Sequence, residues 1–188
     1  MNTATTRPAA VMFEIKQFDP QAYRQQTRRS TLIIALIFLL LAMMLSTLAV
    51  MLFGVVDGDN FWLNLGGVLG GLLVTASLLR YKLWQQPWMA AAVYGWQLKR
   101  SLMRVTNVMH HVDAGVALNN PDAMKLLRFY HLGLTQMHHL DGNSSDHNQT
   151  AQDSQRHKAS METLALDTEQ SRLDPAWLVA VKNIQASR

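Results

Sequence analysis

No cysteine occurs among the 188 residues, which excludes disulfides, thiolate metal sites and cysteine nucleophiles. Charge is nearly missing from one long interval. Between Thr31 and Leu79 there is no Lys, Arg, Glu or His, and the charged side chains there are Asp57 and Asp59. A soluble fold does not leave so long a stretch uncharged, whereas a membrane-spanning pair of helices must. Also missing are GxGxxG, a Walker loop, GxSxG and HExxH, and nothing pairs a serine with a placed base. The chain is therefore read as a non-enzyme, with no catalytic residue, no metal ligand set and no cofactor.

What is present is unevenly distributed. Mean hydropathy is +0.01, an average of a strongly apolar first half and a polar second half. Residues 1 to 112 hold ten Lys or Arg and four Asp or Glu, net +6, and residues 113 to 188 hold seven and nine, net −2. The positive residues gather at the ends of the apolar runs. Membrane topology explains that placement, so nucleic acid is not an expected partner.

The apolar run 31–56 would extend about 39 Å as a helix, past the roughly 30 Å hydrocarbon core, and is too long and too far from the N-terminus for a secretory signal. A second run, 61–79, is about the minimum for a span. Between them the polar turn 57–60 marks the aqueous end of a transmembrane helical hairpin. Arg24, Arg28 and Arg29 precede the first span, and Arg80 and Lys82 follow the second. By the positive-inside rule both termini are cytoplasmic and the chain is multi-pass. In the second span Asn64, Gly66, Gly67, Gly70 and Gly71 form a helix-packing face of overlapping small-xxx-small pairs. It would take either the first span of the same chain or a second copy, so a homo-oligomer is a possible partner.

The soluble part begins at residue 80. From Trp88 a heptad seam includes Leu98, Leu102, Val105 and Met109, and after an Asn120-Pro121 start signal a second helix carries Leu127, Tyr130, Leu134 and Met137. Two such seams across a short turn predict an antiparallel coiled-coil-like hairpin over 80–140. Residues 141–160, whose aliphatic side chains are Ala151 and Ala159 alone, read as a flexible linker. Short helices are expected in 161–188, the last announced by Asp174-Pro175. The fold class is thus all-α: a cytoplasmic N-terminal segment 1–30, the transmembrane hairpin, a cytoplasmic helical hairpin, a linker and a short C-terminal helix.

Seven histidines raise a metal site, but His110 and His111, His131, and His138 and His139 fall at different heights of the expected hairpin, and adjacent histidines face different ways.

The strings Asn60-Phe61-Trp62-Leu63-Asn64-Leu65-Gly66-Gly67-Val68, Trp96-Gln97-Leu98-Lys99, and Phe129-Tyr130-His131-Leu132-Gly133-Leu134-Thr135-Gln136 with Leu140-Asp141-Gly142-Asn143 resemble an uncharacterised family of proteobacterial two-span inner-membrane proteins, a domain of unknown function. The resemblance covers roughly residues 19 to 143. It implies two spans, a cytoplasmic helical part and a bacterial inner-membrane location, and carries no activity.

Two functions follow as expectations. One is a structural, scaffold or interaction protein that presents its helical hairpin to an unidentified protein partner from the lipid bilayer. The alternative is a small transport or channel accessory subunit or a pore-forming oligomer, which the lack of intramembrane charge disfavours.

Overall fold

The structure is a computed structural model that describes residues 11–56, 58–142 and 147–184. Among the described residues seven α-helices and one short strand pair follow the order β1 (Phe13–Glu14), α1 (Pro20–Phe53), α2 (Phe61–Leu78), α3 (Ala90–Thr106), α4 (Met109–Ala117), α5 (Pro121–Asp141), α6 (His147–Thr163), β2 (Arg172–Leu173) and α7 (Pro175–Lys182). They divide into two compact units: Ala22–Tyr94, and Met1–Gln21 together with Gly95–Arg188.

The first unit is the apolar hairpin. Both its helices are long and apolar enough to cross a membrane. α1 begins eleven residues before the apolar run, because Pro20 is pre-set for a first helical turn and nothing up to Phe53 breaks the helix. α2 continues through a π turn at Leu79–Leu83 into a 3₁₀ turn at Pro87–Met89. Ser30, almost fully buried, places its Oγ 2.7 Å from the Trp88 carbonyl and 2.8 Å from that of Gln26, tying the base of α1 to the segment after α2. At the other end Asn60 closes the turn. Its amide donates to the Val55 carbonyl at 3.2 Å and its Oδ1 accepts from Val55 N at 3.1 Å, while Asp59 Oδ1 accepts from Phe61 N at 2.9 Å and starts α2. Asp57 of the expected turn lies outside the described residues.

The second unit is built around α5. Asn120 caps it through Oδ1, which accepts from Asp122 N and Ala123 N at 3.0 and 3.2 Å, and Gly142 ends it in the left-handed region at φ 72°. The single long helix expected from residue 88 is in fact α3 and α4, separated at Asn107-Val108. The interruption keeps an apolar stripe facing inward with Val108 in place of Met109: Leu98, Leu102, Val105, Val108 and Val112 are buried and Met109 is half-buried.

Two further elements depart from the sequence reading. The N-terminal segment is part of this unit, since β1 pairs antiparallel with β2, Phe13 opposite Leu173 and Glu14 opposite Arg172. Phe13 is buried edge-on against Phe129, with ring centroids 6.5 Å apart. The stretch 141–160, expected as a flexible linker, largely forms α6, which packs on α5. Its buried positions Ser154, His157 and Met161 recur at helical spacing, but two of the three are polar and so leave no apolar stripe for a periodicity argument to find.

Candidate functional site

The packing face of α2 resolves into two sides. Gly67 and Gly71 are buried against α1. A Cβ at Gly67 would lie 2.3 Å from Ser46 Cα, and one at Gly71 would lie 2.7 Å from Ala42 Cα. These contacts are backbone on backbone, so only glycine permits them. Asn64 Oδ1 accepts from Ser46 Oγ at 2.6 Å, and Thr75 Oγ1 donates to the Gly71 carbonyl at 2.7 Å. Gly66 faces open space and Gly70 meets only the end of Leu45, 3.5 Å away. The face of Gly67 and Gly71 is thus occupied within the chain.

The hairpin seam divides similarly. Leu98, Leu102 and Val105 are buried, and Leu102 and Leu98 overlie Gly133, whose hypothetical Cβ would lie 2.8 Å from Leu102 Cδ2. On α5 the expected positions Leu127, Tyr130, Leu134 and Met137 are half-buried, and the fully buried stripe is Ala123, Leu126, Phe129, Gly133, Gln136 and Leu140. After Ala123 the stripe runs one residue earlier than the apolar pattern implies. A second buried row, Met124, Arg128 and His131, faces α6 and widens the covered arc beyond what one partner helix needs. Gln136 is held inside by donating to the Lys16 carbonyl at 3.0 Å.

That second row makes a buried polar cluster between α5 and α6. Arg128 donates from Nε to the Thr168 carbonyl at 2.9 Å and from Nη1 to Ser154 Oγ at 3.0 Å. His157 Nε2 lies 2.9 Å from the Met124 carbonyl, and the His131 and His157 rings meet edge to face at 5.5 Å. Among the described residues the buried His131 Nδ1 meets no hydrogen-bond partner. Burial lowers the pKa of both rings. His131 is pushed down to about 4, chiefly by desolvation, then by His157 and Arg128, against a small opposing pull from Asp153. For His157 desolvation lowers the value, the Met124 carbonyl opposes it and Arg128 adds to it. Burial also lowers the pKa of the Arg128 guanidinium, against the attraction of Glu169 and Glu162.

The cluster has a stability consequence. The folded state holds His131 neutral, and the unfolded chain takes up its proton near 6.5, so stability is complete above about pH 6.5 and is lost as pH falls from there through about 4. From His131 alone the loss reaches about 2 kcal/mol at pH 5. Thermal melting of the full chain in detergent between pH 7.5 and 5 should show this loss, and His131→Phe should flatten it. An unchanged slope in that variant would rule out His131 as the source.

Four other histidines lie elsewhere. The His110 and His111 rings lie 4.1 Å apart and tilted by 38°, His111 Nδ1 lies 2.8 Å from the Ile184 carbonyl, His138 is half-buried and His139 exposed. Among the described residues no three of His, Asp and Glu gather into a metal-holding group. The described geometry is a helix pair locked by glycines, and a helical unit closed by its own N-terminal strand. His157 and Ser154 escaped the sequence reading, and the available signal was the spacing 154, 157, 161 read without regard to polarity.

The family described as "Protein of unknown function (DUF3087)" matches residues 13–178, nearly the whole chain, and the chain belongs to it. No curated protein and no solved structure matches.

Proposed function

We propose that this member of the family is an integral inner-membrane protein with both termini in the cytoplasm, a non-enzymatic scaffold that holds a helical domain at the membrane for a protein partner. The pairing of β1 with β2 carries the reading. Residues 13–14 precede the apolar hairpin and residues 172–173 follow it, so their pairing requires both flanks on one side, which two spans satisfy and one does not. Arg24, Arg28 and Arg29, in the first turns of α1 ahead of its apolar run, and the basic residues after α2 select the cytoplasmic side. The non-enzymatic part is supported by how the buried polar groups are used: Arg128 and His157 are engaged by carbonyl oxygens of the fold itself. Transport is disfavoured by the uncharged spans, and by glycines Gly67 and Gly71 that close on α1 instead of lining a path.

Fusions test the topology. Green fluorescent protein at the C-terminus should fluoresce and alkaline phosphatase there should be inactive, with the reverse at Gly58. An active phosphatase at the C-terminus would overturn the topology. Conductance in planar bilayers containing the purified chain would overturn the scaffold reading in favour of a pore.

A further inference from the structure

The outward side of α3 differs from the rest of its unit. Trp96, Lys99, Arg100, Met103, Arg104 and Asn107 line an open groove of about 480 Å³. Their spacing places them as neighbours along one helix face. Trp96 is 47% exposed and Met103 63% exposed, so large apolar groups stand in water beside three cations. The Arg100 guanidinium lies 4.9 Å from the Trp96 ring centre, Arg104 contacts the Met12 sulfur, and Lys99 pairs with Asp141 at 2.9 Å. Three cations against one carboxylate leave the groove positive.

We propose that this groove binds the phosphate headgroup of an anionic phospholipid. It rests on the membrane placement argued above and adds a lipid preference to it. Guanidinium groups match phosphate oxygens two at a time, and the Arg104 and Arg100 forks sit one helical turn apart on the same face. Trp96 and Met103 supply apolar surface beside the charge, the pairing that a lipid offers at the boundary between headgroup and acyl chain and that a free anion lacks. Sequence position agrees, since Trp96 follows the end of the helical span at Leu83 by 13 residues and basic residues close to a span are those that anionic leaflets attract.

The test uses the purified full chain in neutral detergent, titrated with brominated phosphatidylglycerol or phosphatidylcholine while tryptophan quenching is followed. Saturable quenching should be about tenfold tighter with phosphatidylglycerol, and Trp96→Phe should remove most of it. Arg100→Gln with Arg104→Gln should reduce the affinity about thirtyfold, as expected for losing two interfacial cations at about 1 kcal/mol each. Arg156→Gln with Lys158→Gln removes the same charge on α6, outside the groove, and should change it less than about twofold. Equal binding of both lipids, or equal loss in both double variants, would overturn the proposal. So would competition by inorganic phosphate at the lipid's own concentration, which would make this a soluble-anion site, or tighter binding of poly-glutamate, which would assign the groove to an acidic protein. Flotation of every variant with phosphatidylcholine vesicles reads the membrane placement separately, so failure of the groove and failure of insertion give different results.

Discussion

Leu102→Asp should unfold the helical unit while leaving the apolar hairpin inserted. Leu102 is 5% exposed and its side chain lies over Gly133, where α3 and α5 approach closely. The substitution removes that burial and puts a carboxylate into an apolar contact, a cost of about 3 to 5 kcal/mol. A unit of this size has a total stability of about 5 to 15 kcal/mol, so the loss takes a large share of it. Limited proteolysis should then cut within α3, α4 and α5, which are protected in the wild type, and alkaline carbonate should still fail to extract the chain. Met103→Asp is the matched control, because Met103 points outward at 63% exposure, and it should keep the wild-type pattern. Protection of α3 to α5 in Leu102→Asp would show that this contact is not a core.

The second large effect separates two adjacent glycines. Gly67→Ile must drive a side chain into the backbone of Ser46, and Gly71→Ile into that of Ala42, and neither α1 backbone can yield without separating the helices. Overpacking of this kind costs about 3 kcal/mol or more, on the order of 10 °C in melting midpoint for a chain of this size. A Cβ at Gly66 meets nothing within 4 Å among the described residues, so Gly66→Ile should melt with the wild type. Gly70→Ile, which the glycine pattern alone would rank with Gly67, meets only the flexible end of Leu45 and should be mild. Melting in detergent, followed by the onset of aggregation, distinguishes the four variants. Equal midpoints for Gly66→Ile and Gly67→Ile would show that the close approach of α1 and α2 is not made in the folded protein.

These two expectations also locate the boundary between sequence and structure. The interval 31–79, charged only at Asp57 and Asp59, announced the pair of apolar helices, since a bilayer core demands length and apolarity and little else. The caps at Asn120 and Asp174 were readable because capping is local, a side-chain oxygen meeting an amide two or three residues on. Leu98, Leu102 and Val105 could be picked out on α3 because that helix buries a single apolar stripe. Tertiary structure decided the rest. The glycine pattern has the same period on both sides of α2, and only the position of α1 distinguishes Gly67 from Gly66. α5 is covered by more than one neighbour, so its buried arc includes Arg128, His131 and Gln136, which no apolar pattern selects. α6 looked like a linker because Ser154 and His157 gain their place from partners on α5 far away in sequence, and a hydrogen bond to a distant carbonyl leaves no periodic mark. The pairing of Phe13–Glu14 with Arg172–Leu173 spans almost the whole chain, and two-residue strands carry too little pattern to be read before the fold brings them together.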